Sequence, residues 1–287
     1  MTLSVITVNL NNGVGLERTI ISVISQTLND FEYIIIDGNS TDLSPDIIKK
    51  YEKSISSWIC EADNGIFEAM NKGIHLAKGE YLIFLNSGDC FFSSDVLEKF
   101  ILTNPIHDII SGDILIKHSK YNEELKKSPD FITAKYLIND YIPHSATFIK
   151  RSFLSKSGVY NENYKIISDW EFFLRALLIY NASYFHLQEC ISVFQTDGIS
   201  CKAENAEFIQ NERDQILRTT IPYFYQDYLY FKQLEVDKEN HRISTLKNVI
   251  LFTKETIRKL NKFLLKFKSK SCSTIRKIVH EKNCNFV

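Results

Sequence analysis

Residues 81–89 read YLIFLNSGD, an unbroken apolar run followed by small and polar residues and then an acid. A continuous apolar run closed by turn residues fits a strand buried on both faces. The same pattern recurs upstream. Leu3–Val8 (LSVITV) passes into a turn rich in Asn and Gly, Phe31–Ile36 (FEYIII) stops at Asp37-Gly38-Asn39-Ser40, and Trp58–Glu61 ends at Asp63-Asn64-Gly65. Between these runs, apolar residues recur at helical spacing. Leu16, Thr19, Ile20, Val23 and Ile24 form one stripe, a short helix follows Pro45, and Phe67, Met70, Ile74 and Ala77 form another. Gly79 stands where a helix C-cap belongs. Strand–helix–strand repetition predicts an α/β fold, a mostly parallel sheet flanked by helices.

In such sheets, ligands bind beyond the carboxyl ends of the strands. Three of those ends carry an aspartate, Asp37, Asp63 and Asp89, each separated from the next by 26 residues. Singly, each also reads as a turn acid or helix cap, and Asp37 lies in D-G-N-S, a turn sequence in its own right. Together they set carboxylates along one edge. Asp89 follows Ser87-Gly88, small residues that let a backbone approach a polyanion, and a carboxylate there can hold Mg²⁺ or Mn²⁺ against phosphate oxygens.

Beyond residue 100 the alternation loosens. Asp108–Lys117 reads as a longer strand, Tyr121–Ile142 as polar loop with one helical stretch, Asp169–Tyr180 as a helix and Ser183–Phe194 as a strand. After Asn205 the pattern is mainly helical, which divides the chain into a domain at 1–205 and a helical extension at 206–287. A second polar cluster pairs His144 with Ser168-Asp169-Trp170-Glu171. An acid at a helix N-terminus is favoured in its charged form and can accept a proton. The same residues also read as an N-cap and a packed loop histidine, and both alternatives stay open here.

Composition narrows the class. The net charge is −1, yet residues 247–287 carry eleven Lys/Arg against two Glu, leaving −10 on the first 246 residues. Within this basic tail, Leu260, Phe263, Leu264 and Phe267 fall on one helical face among Lys259, Lys262, Lys266 and Lys268. Such a helix lies on an anionic membrane surface or packs on its own domain. An acidic body without a recognition motif argues against nucleic acid. The six cysteines form no C-x-x-C pair, which argues against a zinc or redox centre. No apolar run is long enough to span a bilayer, and no basic leader precedes Leu3–Val8. The expected location is the cytoplasm, with the inner face of the cell membrane as the place a membrane-bound tail would take it. Gly13-Val14-Gly15 starts a dinucleotide fingerprint, but Arg18 stands where its third glycine belongs, and there is no P-loop.

Four segments, SVITVNLNN, IIIDGNSTD, EADNGIFEAMNKGIHLAKGEYLIFLNSGD and HSATFIKRSFLSKSGVYNENYKIISDWEFFLRAL, resemble successive motifs of family-2 glycosyltransferases between residue 3 and about 200. The bacterial group that builds capsule, exopolysaccharide or lipopolysaccharide sugars is the most similar in character. The resemblance implies the GT-A (Rossmann-like) fold and an inverting transfer from a nucleoside-diphosphate sugar, a UDP-sugar by preference, to a glycan or lipid-linked hydroxyl. It puts Asn9, Asp37, Asp63, Asn64, Lys72 and Asn86 on the nucleotide-sugar side, Asp89 at the divalent metal, and Asp169 as catalytic base. His144, Trp170 and Glu171 fall on the acceptor or donor-sugar side. Two departures stand out. Asn86 and Gly88 occupy positions where the family often has a further acid, and Val8-Asn9-Leu10-Asn11 lacks the usual tyrosine. A non-catalytic nucleotide-sugar or glycan-binding subunit on the same fold is the alternative, and donor hydrolysis without acceptor separates the two. A nucleotidyltransferase would need a basic glycine-rich loop where Asn11–Arg18 offers only Arg18.

Overall fold

A computed structural model describes residues 3–119, 121–196 and 198–283, with side chains described through Lys259 except those of Ile199 and Ile257. Its spine is four parallel strands. β1 (Leu3–Asn9) lies between β2 (Phe31–Asp37) and β4 (Tyr81–Phe84), and β3 (Ser57–Cys60) extends the sheet from β2. β1 is buried along its whole length, as a strand covered on both faces must be. α1 (Gly13–Ile24) and α2 (Ser44–Tyr51) bury Leu16, Ile20, Val23 and Ile48 with Leu3, Val5 and Ile35 on one face. α3 (Ile66–Leu76) covers the other face, where Gly73 approaches Ile6 and Ile36. Alternation within each strand sends neighbouring residues to opposite layers.

Gly79 does not cap α3. Ala77 holds the cap position in an extended conformation. A side chain at 79 would come within 2.5 Å of the Ser4 backbone, so the glycine serves a close approach between two segments of the chain rather than a left-handed turn.

The second half is mixed. After β5 (Cys90–Phe91) and α4 (Val96–Leu102) come β6 (Ile109–Ser119), β7 (Asn122–Lys126), α5 (Ala134–Asn139), β8 (Thr147–Lys150), α6 (Arg151–Ser157), α7 (Ser168–Leu178) and β9 (Tyr184–Gln195). The sheet order is β3-β2-β1-β4-β8-β6-β9-β5, with β7 paired to β6. β8 runs antiparallel to both β4 and β6, whereas β6 and β9 are parallel. The stretch expected as loop at Tyr121–Ile142 thus contains β7 as well as α5. β7 (NEELK) is almost wholly exposed, so it carries no apolar alternation by which to recognise it.

α8 (Ala206–Thr220) packs on this body. Glu212 accepts the backbone amides of Lys165 (2.5 Å), Ile166 (3.0 Å) and Ile167 (3.0 Å), and Ile216 and Leu217 are buried. The first compact unit therefore ends at Ile221 rather than at residue 205, and the second begins at Pro222. α9 (Pro222–Asn283) is a single helix of 62 residues. The basic apolar stripe of Leu260, Phe263, Leu264 and Phe267 lies outside the residues whose side chains are described. Among the described residues no helix is long and apolar enough to cross a membrane.

Candidate active site at the carboxyl edge of the sheet

The register of β1 on β2 ends with Asn9 opposite Asp37. Asn9 Nδ2 donates to Asp37 Oδ1 at 2.7 Å. Ser40 donates to both carboxylate oxygens, from Oγ to Oδ1 (2.7 Å) and from its amide to Oδ2 (2.8 Å), and Cys60 Sγ lies 3.2 Å from Oδ2. Asp37 is fully buried, so these donors replace the water its carboxylate loses. Asn9 Oδ1 is buried with no partner among the described residues, an acceptor left over at the edge.

Asp63 adjoins this floor: a side chain on Gly38 would come within 3.1 Å of its Oδ2. Lys72 pairs with Asp63 (2.5 Å), Glu61 (2.9 Å) and Glu68 (3.3 Å). Burial pulls the Lys72 pKa down, but its bonds to these three carboxylates outweigh that and hold it above the usual lysine range. Asn64 is exposed and donates to Glu68 Oε2 from its amide (2.8 Å) and side chain (2.7 Å), tying the loop to the start of α3.

The Asn86–Asp89 turn is fixed from the start of α1. Asn12 Nδ2 donates to Ser87 O (3.0 Å), Arg18 Nη2 to Gly88 O (2.7 Å), and Thr19 Oγ1 to Asp89 O (2.7 Å) while accepting from Gly88 N (3.0 Å). Gly88 has φ 112°, a conformation that favours glycine, which is a physical reason an acid does not stand there. Asp89 is 5% exposed, with the Gln195 amide 3.4 Å from its Oδ1. Arg18 and Thr19 as anchors of this turn were not legible in the sequence, because nothing in their local pattern points to a loop some seventy residues away.

From Asn86 a hydrogen-bonded chain leads to the second cluster. Asn86 Nδ2 lies 3.2 Å from His144 Nε2, and His144 Nδ1 lies 3.1 Å from Asp169 Oδ2. Burial lowers the His144 pKa, but the hydrogen bond and charge of Asp169, with the charge of Asp89, leave it raised. Asp169 is not the N-cap of α7; Ile167 holds that position and Asp169 is the second helical residue. The structure thus joins His144 and Asp169 to the Asn86–Asp89 turn.

It does not bring Trp170 and Glu171 there. Trp170 Nε1 donates to Leu137 O (2.7 Å) and Asp140 O (3.1 Å), and Arg213 lies over its ring at 4.3 Å. Glu171 pairs with Arg175 (2.8 Å), which also holds the carbonyls of Ser157 and Val159. Each residue of a helix is turned about 100° from the last, so neighbours of Asp169 serve the packing of α7 instead.

Among the described residues no group of three or more His, Cys, Asp and Glu forms a metal cage. A single carboxylate at a turn still suits Mg²⁺ or Mn²⁺, which take one or two carboxylates and complete their shells with phosphate and water. Asp89 fits that donor set. A groove of about 750 Å³ beside α5, α7 and the start of β9 includes none of these residues.

Residues 4–153, just over half the chain, match the family described as Glycosyl transferase family 2. A PGL/p-HBAD biosynthesis glycosyltransferase of Mycobacterium bovis is 30% identical over 178 residues, spanning 60% of this chain and 68% of the relative. Among solved structures, S. aureus TarS 1–349 in complex with UDP-GlcNAc superposes with a TM-score of 0.60 at 16% identity, covering 77% of this chain and 68% of that one. The mannosyltransferase PcManGT from Pyrobaculum calidifontis, in complex with GDP-Man and Mn²⁺, gives 0.55 at 14% identity, covering 78% and 64%. At these identities the structural likeness is one of fold. The chain belongs to glycosyltransferase family 2, on a GT-A α/β scaffold.

Proposed function

We propose that the chain transfers a sugar, with inversion, from a nucleoside-diphosphate donor to a hydroxyl of a glycan or lipid-linked acceptor. Asp169 is the general base in this reading. The observation that carries it is the Asn86–His144–Asp169 chain, which links a helix-borne carboxylate to the turn holding Asp89. The acceptor hydroxyl is a poor nucleophile, and Asp169 takes its proton as the oxygen attacks the anomeric carbon. A positioned carboxylate contributes on the order of 10²–10⁴-fold. Asn9, Asp37 and Asp63 bind and orient the nucleotide; the unpaired Asn9 Oδ1 accepts a donor from the base or ribose. Asp89 holds a divalent ion, and that ion, when bound, neutralises the charge gathering on the departing diphosphate. UDP-sugars are the favoured donors, supported by the UDP-GlcNAc complex of TarS, and the Mn²⁺ complex of PcManGT supports the metal.

The test is Asp169→Asn, assayed with a panel of UDP-, GDP- and dTDP-sugars. Transfer falls at least a hundredfold while nucleotide binding holds. Near-wild-type turnover overturns the assignment.

The charge of residues 247–287 supports a further contact, with an anionic membrane surface where lipid-linked acceptors reside. Full chain floats with phosphatidylserine-containing liposomes, and a chain ending at residue 246 does not. Equal flotation ends that reading.

A further inference from the structure

We propose that His144 is a positioning residue for the base, a neutral ring that donates from Nδ1 to Asp169 and is itself fixed through Nε2 by the amide of Asn86. This rests on the reading of Asp169 as base, and adds to it the tautomer, the supporting residue and a protonation switch.

With the Asn86 amide oriented as in the structure, the contacts correspond to one tautomer. The Asn86 amide nitrogen faces Nε2 at 3.2 Å and can only donate, so Nε2 is the acceptor and the ring proton sits on Nδ1. Nδ1 then donates to Asp169 Oδ2 at 3.1 Å, an acceptor when ionised. All three residues come from fixed backbone. Around Asn86, Leu85 N donates to Ile6 O (2.9 Å) and Ser87 N to Val8 O (3.1 Å). The turn carrying His144 is closed by Ala146 N and Thr147 Oγ1, both donating to Pro143 O, at 3.0 and 2.7 Å. Asp169 is held through its neighbour Trp170, whose indole ties α7 to α5.

This arrangement has a consequence for the reaction. While the ring is neutral, its single N–H orients the carboxylate, and Asp169 accepts the acceptor's proton. The acceptor oxygen bonds to the anomeric carbon as the bond from that carbon to the diphosphate oxygen breaks, and His144 keeps its own proton throughout. Once the ring is protonated, it meets Asp169 as a full positive charge across the same contact and no longer acts as a neutral support. The charged and titratable groups acting on the ring are Asp169 and Asp89, and both favour its protonation. The phenols of Tyr141 and Tyr160 feel the Asp169 charge in turn.

The test is an NMR titration of the full chain labelled with ¹⁵N in its seven histidines. The His144 signal is the one lost in His144→Gln. On the alkaline side it carries the pattern of an Nδ1–H ring, and Asp169→Asn lowers its midpoint by about one pH unit or more. Asn86→Ala removes the donor to the neutral ring and raises the midpoint, which identifies the signal if His144→Gln does not fold. An Nε2–H ring, or a midpoint that Asp169→Asn leaves unmoved, overturns the proposal. Turnover of Asp169→Asn tests the base assignment separately, so the two can fail independently.

Discussion

Asn9 Nδ2 and Asp37 Oδ1 lie 2.7 Å apart at the last paired residues of β1 and β2. Two central strands thus end on a buried amide–carboxylate contact, on which the proposed nucleotide side of the site is built. Asp37→Ala strips the acceptor from Asn9 and Ser40 together. Leaving buried donors unpaired costs about 1–3 kcal/mol each. The expected outcome is a loss of about 3 kcal/mol in urea unfolding, together with weaker binding of UDP by calorimetry. Unchanged stability would show that water satisfies those donors.

Asp89 is the proposed hold on the divalent ion, and its effect is separable from folding. Wild-type protein is expected to gain thermal stability from UDP with Mn²⁺ beyond that from UDP alone. A ligand at a hundredfold excess over its dissociation constant stabilises by about 2.7 kcal/mol. In Asp89→Ala the Mn²⁺-dependent increment disappears while the response to UDP alone persists. An increment that survives the substitution refutes the role.

How much of this could be read from the chain follows from what each segment faces. β1, β2 and β4 are buried on both faces, and their apolar runs announce them. Polar β7 on an edge and two-residue β5 carry no such signal. Asp37, Asp63 and Asp89 could be placed on one edge because each closes a strand–helix unit. The partnership of Asn86 with His144 spans 58 residues and a change of strand direction, and no local spacing records it. Trp170 and Glu171 share a sequence stretch with Asp169 but not a helix face.

The end of the first compact unit offers a further test. Helical periodicity announces α8 and α9 alike but does not say what either packs against. Glu212, Ile216 and Leu217 tie α8 to the body. A chain ending at Ile221 keeps the unfolding midpoint of the body, whereas one ending at residue 205 loses several degrees or does not fold. Three backbone amides lose their acceptor and two buried apolar side chains are removed, each apolar burial being worth about 1.5–3 kcal/mol. Equal midpoints for the two truncations would return the boundary to residue 205.

His144 makes the stability of the fold depend on pH in a defined direction. Burial alone would lower its pKa, yet Asp169 and Asp89 leave it raised in the folded chain. The folded chain therefore binds this proton more tightly than the unfolded chain, whose imidazole titrates at about 6.5. The resulting stabilisation is full below that value and is lost as pH rises through the folded-state pKa. Urea unfolding of wild type and His144→Gln should thus differ most below about pH 6.5, with the gap closing as the pH rises above that value. A gap that widens with pH would mean the ring is held neutral by burial, and the Asp169 contact would then be too weak to orient the base.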